Sequence, residues 1–294
     1  DREGCLVYRT IEDLEMMQDA AAKGKVGVVV GGGLLGLEAA NALKDLGLET
    51  HVVEFAPRLM PVQLDEGGAA LLKRKAENLG VTVHTSKATT EIVDGGHCLN
   101  KMVFADGEEL ETDVILFSAG IRPRDDLAKE AGLQLGPRGG IEIDNQCRTS
   151  VADVFAIGEC ALHDGMIYGL VAPGYAMAQA VVNQLNAEPA EFSGADMSTK
   201  LKLLGIDVAS IGDPHGTDEN ALSYVYENGP EEIYKKIVVT QDGKKLLGAV
   251  LVGDAEDFGN LLQLKLNDMA LPEHPDSLIL PNRDGSANDL FGPD

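Results

Sequence analysis

A strand, a glycine turn and a helix constrain this chain more than anything else in it. Val26 to Val30, VGVVV, is a continuous apolar run, as expected of a parallel strand buried on both faces. Gly31, Gly33 and Gly36 follow as G-x-G-x-x-G, and LLGLEAANALKDLG continues as a helix, opened by Leu34 and Leu35 and ended at Gly47. Each glycine has a task. Gly31 permits the tight turn, Gly33 lets a pyrophosphate approach bare backbone, and Gly36 lets the helix pack against the sheet. The helix N-terminus then offers free N–H groups and a partial positive charge to the phosphates. The glycine spacing alone is a weak signal. Here it lies between the right elements, and Glu54 ends the next strand, THVVEF, about twenty residues downstream, where an acid bonds the ribose hydroxyls.

Glu54 also bears on the choice of cofactor. A carboxylate there repels a 2′-phosphate, which favours NADH while leaving NADPH open. Arg58 either softens that preference or is a solvated loop cation. Glu38, on the first turns of an otherwise apolar helix, is open to two readings: favourable placement in the helix dipole, or a group near the nicotinamide.

The flanking pattern agrees with the turn. Thr10 and Asp13 make a capping-box start for IEDLEMMQDAAAK. Asp65 to Leu79 reads as a helix and VTVHT as the next strand, and this β-α-β-α-β order predicts a doubly wound parallel sheet. ATTEIVD, KMVF and ELE, with a turn at Asp106-Gly107, predict short hairpins, and DVILFSAG a further buried strand. One short helix is expected between Arg122 and Gly140, then strands at GIEID and DVFAIGE and a helix from Gly174. Beyond NAEPAEFSGAD, the segments SYVYE, EEIYKKIVVTQ and KLLGAVLVG alternate apolar and polar residues. They predict an antiparallel sheet with a tight turn at Asp242-Gly243 and a helix near Phe258 to Asp268.

Composition narrows the function classes. Acidic residues number 48 against 24 basic, a net charge of −24, which opposes nucleic acid and anionic membrane as partners. No run approaches the roughly twenty apolar residues a membrane span needs. The four cysteines and six histidines show no metal-ligand spacing, so no metal site is expected, and scattered thiols suit a reducing, cytoplasmic compartment. Ser118 lacks a nucleophile elbow, and Cys160 reads as a small packing residue rather than a redox thiol. His51 and His84 fall in strand patterns and read as structural.

A second motif, TSVADVFAIGECA, resembles the flavin-binding signature of the two-dinucleotide-domain flavoprotein reductases. FSAGIRPR and YRTIEDL resemble the exit from and entrance to the NAD domain of the same proteins. VVGGGLLGLEAANALKDLGLETHVVEFAPRLMPVQLD, GLVAPGYAMAQ, KLKLLGIDVASIGDPHG and LLGAVLVGDAEDFGNLLQL further resemble the large subunits of NAD(P)H-dependent assimilatory nitrite reductases, over nearly the whole chain.

That resemblance implies an α/β fold: a Rossmann-type NAD domain (10–119) inserted in a partial FAD domain (connector 1–9, second half 120–190), a small α+β domain (191–280), and a tail, 281–294, without fixed structure. It implies that the chain is an internal stretch of a longer protein, which explains why only one glycine fingerprint is present. Gly31, Gly33, Leu34, Leu35, Gly36 and Glu54 would hold NADH. Glu38 would sit by the nicotinamide and flavin, and Gly120 and Ile121 near both nucleotides. Gly158 and Glu159 would hold the FAD ribityl region, although many members carry Asp at the second position. Val171, Ala172 and Pro173 either approach the isoalloxazine or simply start a helix.

The implied activity is electron entry: hydride transfer from NADH to FAD, then onward to iron–sulfur and sirohaem centres elsewhere, reducing nitrite to ammonium. Partners would be the rest of the parent chain, a small subunit, or a second copy. The alternatives are a rubredoxin or ferredoxin reductase, an NADH oxidase, or a nucleotide-binding fragment without activity.

Overall fold

The structure, a computed structural model, describes residues 2–188 and 190–281. It divides into two compact units. Among the described residues, one joins 2–120 with 198–281, and the other comprises those between 121 and 197.

The first unit begins with β1 (Cys5–Val7), α1 (Ile11–Ala21), β2 (Val26–Val30), α2 (Leu34–Asp45), β3 (Glu49–Val53), α3 (Glu66–Asn78) and β4 (Val81–His84). It continues with β5 (Thr89–Asp94), β6 (Asn100–Phe104), β7 (Glu109–Thr112) and β8 (Val114–Phe117). The capping box at α1 forms as expected: Thr10 Oγ1 accepts from the Asp13 N–H at 3.2 Å, and Asp13 Oδ2 accepts from the Thr10 N–H at 2.8 Å.

Five strands make a parallel sheet in the order β1-β8-β2-β3-β4. The strand order reverses at β2, and the glycine turn leaves its C-terminal end, where open α/β sheets bind ligands. The two faces are covered differently. Val29, Val52 and Leu116 pack with Leu37, Leu43 and Leu72 of α2 and α3. Val28, Val53 and Ile115 pack against Met102 and Phe104 of the antiparallel sheet β5-β6-β7. β1 was not legible in the sequence; it is three residues long and pairs only with β8.

The second unit contains α4 (Asp126–Glu130), the parallel pair β9 (Ile141–Ile143) and β10 (Ala161–His163), and α5 (Val171–Leu185). Cys147, Ala156, Tyr168, Met177 and Phe192 form its core. The strand expected at DVFAIGE does not form. Phe155 makes one isolated bridge with Arg148, and Gly158 to Cys160 is a 3₁₀ turn. The positive φ of Asp153 (63°) and Gly158 (79°) breaks the extended path at both ends of the segment.

The chain then returns to the first unit with β11 (Thr199–Leu203), β12 (Ile206–Gly212), β13 (Leu222–Asn228), β14 (Ile233–Val239), β15 (Leu246–Val252) and α6 (Phe258–Leu266). The antiparallel order is β11-β12-β15-β14-β13. The sequence reading placed the sheet only from Ser223 onward and missed β11 and β12. Their two-residue loop is Leu204-Gly205, both at positive φ (52° and 78°), and leucine is not a residue that signals such a turn. Period-2 alternation gives this sheet two buried faces. Ala249 and Leu251 pack with Leu261 and Leu264 of α6, while Val250, Val252 and Tyr234 join the core of the parallel-sheet domain. Of the tail expected at 281–294, all but the first residue lies outside the described residues.

Two glycines make that second contact. Gly67 and Gly68 stand in the first turn of α3, a helix in which glycine is a weaker former than alanine. A Cβ on Gly67 would overlap the Tyr234 ring, and one on Gly68 would lie 2.9 Å from Val250 Cγ1. Asp65 caps α3 by accepting from the Gly68 N–H at 3.1 Å, and also accepts from Tyr234 Oη at 2.7 Å and pairs with Lys236 Nζ at 3.1 Å. Burial, then the Asp65 carboxylate, pushes the Tyr234 phenol well above its usual range, so it stays a donor. Asp65→Ala removes the cap and leaves the buried Lys236 without its carboxylate. Urea unfolding should show a loss of about 3 kcal/mol, and Asp65→Asn, which keeps the cap, a smaller one.

Acid sensitivity has a separate source. Glu111 accepts from the backbone N–H groups of Gly96, His97 and Cys98, which lower its pKa from 4.5 to about 2. A carboxyl with a depressed folded pKa stabilises above its unfolded pKa and loses that contribution as pH falls through the folded value. Between about pH 4.5 and pH 2, the melting temperature should therefore fall less steeply for Glu111→Gln than for the unmodified chain.

Candidate dinucleotide site

The glycine turn is built by backbone packed on backbone. Gly31 has φ 113°, and its N–H donates to Val53 O at 2.8 Å. A Cβ there would overlap the Ser118 carbonyl at the end of β8, and a Cβ on Gly36 would overlap the Gly31 carbonyl. Gly33 differs: it is the N-cap of α2, and nothing lies within 4 Å of where its Cβ would be. α2 has no acidic residue in its first turn and no side-chain cap. Its first N–H groups therefore have neither an intrahelical partner nor a competing carboxylate, which fits a diphosphate. Leu34 is half-buried and Leu35 is exposed at this turn.

Glu54 does more than the sequence suggested. Oε2 accepts from the Gly32 N–H at 2.6 Å, and Oε1 accepts from the Ala56 N–H at 2.7 Å. The carboxylate thus ties the glycine turn to the loop after β3 and retains further lone pairs for a ribose hydroxyl. That loop folds back on the turn: the Met60 N–H donates to Gly32 O at 3.0 Å, and Leu59 packs where a Cβ on Gly32 would stand, 2.6 Å away. Gly32 and Ala56 were not singled out in the sequence, and the run of three glycines was the one available sign of the first. Arg58 is neither free nor turned to solvent. Its Nε donates to Leu64 O at 3.2 Å within the same loop, and the guanidinium also reaches Pro61 O.

Other residues set the frame. The Glu54 N–H donates to His84 O at 2.8 Å. His84 Nε2 lies 3.1 Å from His51 Nδ1, with the rings stacked. Burial holds both imidazoles below the usual histidine range. Glu38 is exposed on α2, two residues beyond Gly36. Gly120 closes this unit with φ 95° and open space at its Cβ position. Ile121, exposed, belongs to the other unit.

In the second unit the structure brings the proposed flavin residues together. The 3₁₀ turn at Gly158 and Glu159 packs against the start of α5, where a Cβ on Gly174 would lie 3.4 Å from Gly158 Cα. α5 begins at Val171, three residues before the sequence placed it, so Val171, Ala172 and Pro173 are its first turn. Val171 and Ala172 are exposed, and Pro173 is buried. Proline suits that position because its absent N–H would have had no helical partner. The Gly158 N–H points at Met177 Sδ, 3.2 Å away, a contact sequence gave no way to find. Nearby, Cys147 is fully buried, and burial pushes its thiol up to about 11, while Cys160 Sγ donates to Ile157 O at 3.4 Å. Among the described residues no group of three or more His, Cys, Asp or Glu side chains could hold a metal ion, and no helix is long and apolar enough to cross a membrane.

Residues 1–184 match the family model of the pyridine nucleotide-disulphide oxidoreductases, and residues 198–265 match that of the rubredoxin NAD+ reductase C-terminal domain. The chain is 63% identical to the nitrite reductase [NAD(P)H] large subunit of Klebsiella oxytoca, over 99% of its own length and 30% of the relative's. It is 58% identical to the nitrite reductase (NADH) large subunit of Escherichia coli K12, over 100% of its length and 35% of that protein's. The chain thus spans about a third of these relatives. Among solved structures, the NAD-dependent persulfide reductase of A. fulgidus superposes with a TM-score of 0.79 at 25% identity, covering 94% of this chain and 56% of that one.

Gly33 and Gly36 should separate by experiment. Alanine in a helix interior ordinarily gains about 1 kcal/mol over glycine. At Gly36 the overlap with Gly31 reverses the sign, and Gly36→Ala should lose about 1–3 kcal/mol by urea unfolding. Gly33→Ala should melt within a few degrees of the unmodified chain yet bind NADH at least roughly tenfold more weakly by calorimetry, because its methyl group occupies the phosphate approach.

Proposed function

Because the chain belongs to the pyridine nucleotide-disulphide oxidoreductase family, we propose that it is the electron-entry part of an NADH-dependent nitrite reductase acting in nitrate assimilation. The observation that carries the reading is the similarity to two nitrite reductase large subunits over essentially the whole chain, joined to a glycine turn whose backbone is open at Gly33. When both dinucleotides are bound, the nicotinamide supplies a hydride and the flavin accepts it.

The chain's own residues bind and orient. The Gly33, Leu34 and Leu35 N–H groups receive the NADH diphosphate at the positive end of α2. Glu54, fixed by Gly32 and Ala56, takes the adenine-side ribose and disfavours a 2′-phosphate. Arg58 is committed to loop carbonyls, which leaves that preference intact. Glu38 lies on the exposed side of α2 as the acidic group offered towards the nicotinamide, with Gly120 and Ile121 along the chain's exit from the domain. Gly158, Glu159 and the first turn of α5, Val171 to Pro173, hold part of the flavin. Iron–sulfur and sirohaem groups in the rest of the parent protein would carry electrons to nitrite, and a small subunit or second copy would complete the assembly.

A second reading keeps the site and changes the acceptor. The match of residues 198–265 to a rubredoxin reductase domain favours it. Rubredoxin or ferredoxin, or oxygen as in an NADH oxidase, would then take the electrons. A third reading, a nucleotide-binding piece without turnover, differs only in the absence of NADH-dependent dye reduction when FAD is added.

Calorimetry on the 294-residue chain should give one NADH site and weaker NADPH binding. Glu54→Ala should weaken NADH by about tenfold and narrow the gap between the two cofactors. If discrimination is the same in the variant, Glu54 is not the selector. One glycine fingerprint is present, so a second phosphate turn for FAD is not supplied by these residues. As purified, without added FAD, the chain should therefore be nearly colourless and nearly inactive, and a preparation carrying one flavin per chain would contradict this.

A further inference from the structure

Residues 121–167 enclose an open cleft of about 900 Å³. Leu162, Met166 and Ile167 give it an apolar lining, and Arg122, Arg138 and Asp125 supply its charges. The size falls within the range of about 300–1,000 Å³ typical of small-molecule sites.

Two features make this more than a surface dent. The first is that its wall is built. Asp125 Oδ2 accepts from the Gly140 N–H at 2.6 Å, which ties the loop after Gly120 to the turn Gly136 to Gly140. Within that turn the Gly136 N–H donates to Gly140 O at 2.9 Å and the Gly139 N–H to Gly136 O at 3.0 Å. Gly139 has φ 88°, and a Cβ there would stand 2.9 Å from Asp125 Oδ2 and 3.1 Å from Pro123 Cγ. A Cβ on Gly136 would overlap the Leu162 side chain. The left-handed φ of Gly139 favours glycine where this wall closes, and the Asp125 bond holds the turn in place.

The second feature is unspent charge. Arg122 and Arg138 are exposed, and neither forms an ion pair or hydrogen bond among the described residues. Some cations elsewhere are paired with carboxylates, as Lys75, Lys101, Lys235 and Lys236 are; what distinguishes these two arginines is that both line one cleft. The one carboxylate in the lining, Asp125, is partly committed to the wall. A guanidinium presents a planar fork that suits a carboxylate, sulfonate or phosphate.

We propose that this cleft binds a small amphipathic organic anion, its flat apolar body against Leu162, Met166 and Ile167 and its acidic group held by Arg122 and Arg138. The site lies wholly within residues 121–167 and does not depend on the nitrite reductase reading.

Naphthalene-1-sulfonate and its neutral counterpart naphthalene-1-sulfonamide are suitable probes, titrated calorimetrically into the full chain. The sulfonate should bind saturably at one site per chain, at least tenfold tighter than the sulfonamide, and more weakly as salt rises. Arg122→Gln and Arg138→Gln should each cost about tenfold in sulfonate affinity, and Arg138→Lys should restore part of it. Arg138→Gln should leave the melting temperature and NADH affinity unchanged, which separates this site from the glycine turn. Equal binding of the two probes, or sulfonate binding undiminished by both glutamine variants, would overturn the proposal. So would the absence of saturable sulfonate binding.

Discussion

The close approach of one piece of backbone to another at Gly31 sets the rest of the nucleotide-binding unit. Gly31 lies against the Ser118 carbonyl on one side and beneath Gly36 on the other. No side chain fits in either gap, so β2, β8 and α2 meet with main chain in contact. This draws the N-terminus of α2 over the C-terminal end of β2, where its unpaired N–H groups and the dipole of the helix act together. The open space at Gly33 is the complement of this crowding, left where an anion would come closest.

Glu54 extends the arrangement by one layer. A carboxylate that accepts from Gly32 and Ala56 is both a ribose ligand in prospect and a clamp between the turn and the following loop. Its replacement should therefore loosen the turn as well as alter selectivity, and the two effects must be separated by comparing affinity with stability. The antiparallel sheet reaches the same loop: His215 Nε2 lies 2.9 Å from Val62 O, and Asp65 at the loop's end holds Tyr234 and Lys236. Leu203, Ile206, Val208, Tyr234, Val250 and Val252 thus pack with the core of the parallel-sheet domain.

The glycine turn and its flanking strands were legible because both obey local rules: an apolar run for a strand buried on two faces, and glycines where side chains collide. The cap at Thr10 was legible for the same reason. The hairpin between β11 and β12 was not, since Leu204 takes a left-handed turn position that leucine seldom occupies. DVFAIGE has the apolar look of a strand, but Asp153 and Gly158 take positive φ, and the Gly158 N–H meets Met177 Sδ, on a helix that follows in the chain. At the site, residue types pointed to Glu54, but its bond to Gly32 depends on how β3 and the turn are brought side by side. Arg58 could be read only as charged; its commitment to Leu64 O is a property of the folded loop.

The claim on which the account rests is that main-chain N–H groups at a side-chain-free bend receive the cofactor diphosphate. Amide chemical shifts of the ¹⁵N-labelled chain, followed during titration with NADH, address it directly. The account predicts that Gly33, Leu34 and Leu35 show the largest saturable changes, with Gly32 and Ala56 following through Glu54. Saturable binding that leaves those amides unmoved while others shift would contradict it.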